Sequence, residues 1–267
     1  MPVRQEGRVT VEEHVVFGTG GGRDLHCDVF LPPEPGDARA AILLVHGGGW
    51  VQGDRSQLRG YGIQLARYGF VCVASEYRLS GEAVWPAQIH DVKAALRWVR
   101  ANAATYGIDP SRIAVSGNSA GAHLALMLAG LATGELEGEG GNAEATSDVA
   151  AAIAIYPPTE LRVTHADDAI GLLLGGKVAR EVEDEASPIA YVHPGYPPTM
   201  LVHGNADEIV PVEASFAMYH ALVTAGAPVE LHVFDGEPHA FDAAPEFGRQ
   251  VADLIALFLD RKVRQAP

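Results

Sequence analysis

Residues 40–45 read Ala-Ala-Ile-Leu-Leu-Val, an unbroken apolar run. A strand with one wet face alternates polar and apolar side chains, so an unbroken run reads as a strand covered on both faces. Similar short runs recur at 70–74, 112–116, 150–155, 199–202 and 229–234. Between them lie helical patterns at 57–68, 86–106, 119–131, 212–225 and 245–262. In the second of these, Ile89, Val92, Leu96 and Val99 repeat on one face, with Arg97 and Arg100 off it. This alternation predicts a mostly parallel sheet with helices on both sides. Ahead of it, residues 8–17 and 24–31 flank a glycine-rich turn at 18–23 and read as a β-hairpin. Two stretches break the rhythm. Residues 134–148, rich in Gly and Glu, read as a solvated loop. Residues 159–192 hold a short apolar piece and an acidic cluster, and are long enough to form a cap.

The net charge of −15 argues against nucleic acid or an anionic membrane as a partner. No apolar run is long enough to span a bilayer, and residues 1–16 carry no signal-peptide pattern. Cys27 and Cys72 lie in strand-like stretches and read as buried thiols, which suggests a cytoplasmic protein. Neither metal-ligand spacing nor a dinucleotide fingerprint is present, so no cofactor and no metal are expected.

The strongest chemical signal is Gly117-Asn118-Ser119-Ala120-Gly121, between a predicted strand and a predicted helix. A strand that turns sharply into a helix crowds its turn, and glycines two positions either side relieve the crowding. The serine is thrown above the sheet edge, beside the helix amides. A second signal, His46-Gly47-Gly48-Gly49-Trp50, follows the strand at 40–45. Consecutive glycines can aim backbone N–H groups at a developing oxyanion.

A serine hydroxyl needs a base, and the base needs an orienting acid. His239 lies in the loop after the last strand, on the edge expected for Ser119; His46 belongs to the glycine loop, His123 reads as packed and His203 as structural. Asp207, after the strand at 199–202, is the candidate acid, with Glu208 and Asp235 as alternatives. Ser119, Asp207 and His239 thus stand in the chain order nucleophile, acid, base. Trp50 is a candidate wall of the acyl pocket as well as a candidate core residue. Ile170, Leu172, Leu173 and Leu174 are candidate pocket lining, with ordinary core packing the alternative for at least some of them; Leu172 and Leu173 are the expected substrate contacts.

These stretches resemble an α/β-hydrolase of the esterase/lipase type, in the group with H-G-G-G-W and G-x-S-A-G-x-H-L-A that includes feruloyl-esterase-like proteins and arylformamidases. The resemblance runs from His46 to the C-terminus through Gly117 to Ala125, Pro197 to Asp207 and Pro238-His239-Ala240-Phe241. It implies a single catalytic domain over residues 1–267, with an eight-stranded sheet, an N-terminal hairpin and a cap at 159–192. It also implies oxyanion donors at the amides of Gly48, Gly49 and Ala120. Asn118 departs from the Asp of the hormone-sensitive-lipase-like branch, which places the chain nearer the feruloyl-esterase-like group. The expected activity is hydrolysis of small short-chain or aryl carboxylic esters. An arylformamidase is the alternative, and a non-catalytic binding protein on the same fold the rival from another class. A small-molecule ester is the expected partner, and a homodimer is compatible with the sequence.

Overall fold

The computed structural model describes residues 3–162, 165 and 167–264; residues 163, 164 and 166 of the expected cap lie outside the described residues. Eight strands form one sheet: β1 (Thr10–Gly20), β2 (Arg23–Leu31), β3 (Arg39–Val45), β4 (Val71–Ser75), β5 (Ile108–Asn118), β6 (Ala151–Ile155), β7 (Thr199–Gly204) and β8 (Val229–Phe234). Their order is β1-β2-β4-β3-β5-β6-β7-β8. The β1/β2 and β2/β4 pairs are antiparallel, and all others are parallel. This is the mostly parallel sheet that the apolar runs predict. The hairpin turn is tighter than expected: β1 runs on to Gly20, leaving only Gly21 and Gly22, both at positive φ, to reverse the chain.

β3 shows why its sequence does not alternate. Ala41, Leu43 and Val45 face one core, Ala40, Ile42 and Leu44 the other, and all are at most 2% exposed. Helices α1 (Arg59–Ala66), α2 (Ala87–Ala101) and α3 (Ala120–Gly130) follow β3, β4 and β5. Segments α4 (Ala169–Leu174) and α5 (Arg180–Glu185) lie in the 159–192 insertion, α6 (Glu213–Ala225) joins β7 to β8, and α7 (Pro245–Leu259) closes the chain. The first core is covered by α2, α3 and α6, the second by α1 and α7. Cys27 and Cys72 are free and buried, and burial pushes the Cys27 thiol up to about 12. Among the described residues, no helix is long and apolar enough to cross a membrane.

One element boundary needs correction, and one expected loop has a feature that its sequence does not show. The helix expected over 86–106 stops at Ala101. Asn102 turns its side-chain amide back onto the Trp98 carbonyl, competing with the helix ladder, and Gly107 at φ +63° completes the turn. The loop at 134–148 is largely exposed, but it is fastened along its length. Lys93, fully buried on α2, donates to the carbonyls of Ala132 and Glu135 and to Glu137. Arg97 reaches Glu137 and the Gly141 carbonyl, and Arg100 the carbonyls of Thr146 and Asp148. Burial alone would raise the Glu137 carboxyl, but Ser147 and Lys93 outweigh it and hold it at about 2.

Candidate active site

The C-terminal ends of the parallel strands form one edge, and the residues singled out from sequence gather there. Ser119, between β5 and α3, has φ +52° and ψ −119°, a conformation rare outside glycine. The surroundings enforce it. A Cβ at Gly117 would sit 2.3 Å from the Gly121 carbonyl, and one at Gly121 would sit 2.1 Å from the Val45 carbonyl oxygen. Only glycine lets β5, α3 and the end of β3 approach so closely. The Ser119 N–H donates to the Ile155 carbonyl at 2.9 Å, and the Ser119 carbonyl accepts from His123 N–H at 3.0 Å, so the backbone of the turn is fixed on both sides.

The Ser119 hydroxyl lies 3.0 Å from His239 Nε2, and His239 Nδ1 lies 2.6 Å from Asp207 Oδ2. The other Asp207 oxygen accepts from the amides of Ile209 and Val210, at 2.9 and 2.8 Å. The Asp207 side chain is fully buried and that of His239 is 13% exposed. A buried carboxylate with backbone donors can orient an imidazole and offset a positive charge on it. His203, read as structural, lies between Ser215 Oγ and the Val210 carbonyl, 3.3 Å from Asp207, and burial lowers its pKa. Of Asp207, Glu208 and Asp235, it is Asp207 that meets His239 Nδ1; Asp235 accepts from Asn205.

The 46–50 loop is held from behind. His46 is buried and stacks on Tyr77 with ring centroids 4.3 Å apart, while the Tyr77 hydroxyl donates to the His46 carbonyl. The Trp50 carbonyl accepts from Ser80, and the Gly48 carbonyl from the amides of Val51 and Gln52. Gly48 adopts φ +116°, and a Cβ there would strike the Gln52 carbonyl oxygen at 2.1 Å. Gly48 and Gly49 border the cleft beside Ser119, and Ala120 opens α3, where an amide has no acceptor within its helix.

Ser119 lies between two hollows, each of about 610 Å³. One is mainly apolar, bordered by Trp50, Pro158, Ile170, Val210, Pro211 and Ala214. The other contains His239 and is more polar, with Gln52, Gln57, Tyr61, Tyr156 and Asp242. Trp50 serves both purposes weighed for it: it is 3% exposed in the core and also walls the apolar hollow.

The expectation for Leu172 and Leu173 is wrong. Leu172 is 45% exposed to solvent, and Leu173 is fully buried in the core, its carbonyl taken by the Trp85 amide. The insertion reaches the cleft through Asp168, Ala169 and Ile170 instead. Helix α4 spans only six residues, too short for its pattern to show which side faces the cleft.

Sequence reasoning also missed a polar cluster behind His239. Tyr156, just past β6, has its ring centroid 4.6 Å from that of His239. Its hydroxyl donates to Asp242, which also accepts from Tyr61 at 2.8 Å, and Asn118 Nδ2 donates to the Tyr156 oxygen at 3.3 Å. The available signal was position: Tyr156 and Asp242 both follow strands on the Ser119 edge.

Residues 27–222 match the family described as BD-FAE. The chain belongs to the BD-FAE family. Esterase LipQ of Mycobacterium tuberculosis is 36% identical over 260 residues, covering 92% of this chain and 61% of that protein. The chain spans 61%, 54% and 60% of the length of three curated relatives that it matches. Of solved structures, esterase 2 of Thermogutta terrifontis with propionate bound superposes with a TM-score of 0.83 at 30% identity, covering 96% of each chain. A truncated carbohydrate esterase from gut microbiota gives a TM-score of 0.83 at 28% identity, covering 94% of this chain and 96% of that one. These neighbours identify the BD-FAE chain as an α/β-hydrolase of the esterase type.

Proposed function

We propose that this BD-FAE chain is a serine carboxylesterase working through an acyl-enzyme, with its 267 residues acting as one catalytic domain and 159–192 as its cap. The observation that carries the reading is the line from the Ser119 hydroxyl through His239 to Asp207, at 3.0 and 2.6 Å. Ser119 attacks the ester carbonyl as His239 takes its proton, and Asp207 supports the imidazolium. The amides of Gly48, Gly49 and Ala120 hold the oxyanion. The imidazolium then protonates the leaving alcohol, and water activated by His239 releases the acid.

This proton path assigns the two hollows. The leaving oxygen must meet His239 Nε2, so the alcohol part occupies the hollow that contains His239, the more polar of the two. The acyl part faces the apolar hollow against Trp50 and Ile170, whose size admits short aliphatic or aryl acids. Supporting this, Thermogutta terrifontis esterase 2 has been solved with propionate and with butyrate bound, and phosphorylated by paraoxon.

The test is covalent labelling by a fluorophosphonate, with p-nitrophenyl acetate, butyrate and octanoate, feruloyl esters and N-formylkynurenine as substrates. Labelling of the wild type but not of Ser119→Ala, with activity falling from butyrate to octanoate, supports the reading. Absence of labelling overturns it. Preference for N-formylkynurenine over every ester assigns the arylformamidase reaction to the same residues.

A further inference from the structure

The cluster behind His239 has no part in the steps above, yet it touches the residue on which each step turns. This inference rests on the reading of Ser119 and His239 as nucleophile and base. Around the imidazole, Ser119 meets Nε2, Asp207 from the β7–α6 loop meets Nδ1, and the Tyr156 ring lies at 4.6 Å, tilted 57°. His203 at the end of β7 lies edge-on to Tyr156, ring centroids 6.5 Å apart, and 3.3 Å from Asp207. Asp242, 8% exposed, accepts from the Tyr156 hydroxyl, and Tyr61 on α1 supplies its second donor.

Tyr156 is 1% exposed and has φ +42°, unusual for an aromatic residue. Its amide is held by the Val202 carbonyl at 2.7 Å, and burial with the hydroxyl's bond to Asp242 holds the ring in place. Burial, and then Asp242, keep both phenols protonated by pushing their pKa values well above the usual range. Each hydroxyl therefore acts as a donor to the carboxylate, and a phenol donating to a carboxylate has a more electron-rich ring.

We propose that Tyr156 and Asp242 are positioning residues for His239: the carboxylate fixes and polarises the tyrosine, whose ring stabilises the imidazolium formed when the Ser119 proton is taken. A cation beside an aromatic ring gains an amount that corresponds to about 2- to 30-fold in rate. Losing it lowers the basicity of His239 by the same factor, so two readouts must move together. The plateau of kcat/KM falls, and the acid limb of its pH profile moves to lower pH by the logarithm of that fall, about 0.3 to 1.5 pH units.

The experiment measures kcat/KM for p-nitrophenyl acetate from pH 5 to 9 in the wild type, Tyr156→Phe, Asp242→Asn, their double variant and Tyr156→Leu. Thermal melts accompany each. Tyr156→Phe keeps the ring and loses only its link to Asp242, so it remains informative if Asp242→Asn unfolds. The expected result is about a 3-fold fall for each of these two, no further fall in the double variant, and about 30-fold for Tyr156→Leu, each with its acid-limb shift. Effects that multiply in the double variant, or a plateau loss with the acid limb unmoved, overturn the proposal and leave a structural role. If the wild type is not labelled by a fluorophosphonate, the reading of Ser119 fails instead, and the two failures are distinguishable.

Discussion

Two irregular stretches, 134–148 and 159–192, look alike in sequence: both are acidic and neither has a long helical period. Their structures differ in what holds them. The first has no helix or strand and is fastened by Lys93, Arg97 and Arg100, cations on one face of α2. The second packs Leu161, Leu173 and Ala186 into the core and ties its backbone to the machinery beneath. Trp85 N–H donates to the Leu173 carbonyl, and His123 Nε2, one turn past Ser119, donates to the Ala186 carbonyl at 2.7 Å. Only the second stretch borders the hollows beside Ser119. Acidic, aperiodic sequence can thus be scaffold or site wall, depending on which helix it meets.

The largest expected effect separates the two by stability. Lys93→Met leaves the carbonyls of Ala132 and Glu135 without their cation and Glu137 with Arg97 as its remaining one. Stranding the acceptors of a buried cation in this way costs about 3 kcal/mol. Urea melts check this, and kcat/KM of the folded enzyme should stay within a factor of about two, because the 134–148 loop borders neither hollow. A large fall in kcat/KM would break the comparison.

A smaller effect, on both stability and activity, is expected at His123. Its ring meets Trp50 and Trp85 edge-on, and burial lowers it to about 4. A base depressed in the folded state contributes stability above its unfolded pKa, near 6.5, and loses it as pH falls towards 4. The stability gap between wild type and His123→Gln, which keeps a donor for Ala186 but does not titrate, should therefore narrow through that window. His123→Ala should lower kcat/KM as well, by about 10-fold, since Trp50 loses its support. For Glu137 the corresponding window lies lower: its stabilisation is present above 4.5 and lost as pH falls towards 2. Hydrogen exchange at pH 5 should then show the cap side loosened and the 134–148 loop still protected.

The smallest effects test the corrected lining. Ile170→Ala should alter KM for butyrate over acetate esters by about 3-fold, the worth of a partly buried apolar contact. Leu172→Ser, on the solvent side, should leave both KM and stability within about 0.5 kcal/mol of wild type.

The sequence alone determined the sheet, because a strand buried on both faces must be apolar at every position, as at 40–45. It also determined the turn at Ser119, because only glycines tolerate the approach of Val45 and Gly121. The order Ser119, Asp207, His239 was legible because parallel strands all end on one edge. The tertiary structure decided the rest. Whether Leu172 or Ile170 meets the cleft depends on how a six-residue helix is rotated, which its own pattern is too short to record. The bond between Tyr156 and Asp242 joins residues 86 apart, and that from Lys93 to Glu137 residues 44 apart. Local periodicity carries no signal for such pairs, since they form only once the sheet has brought its loops together.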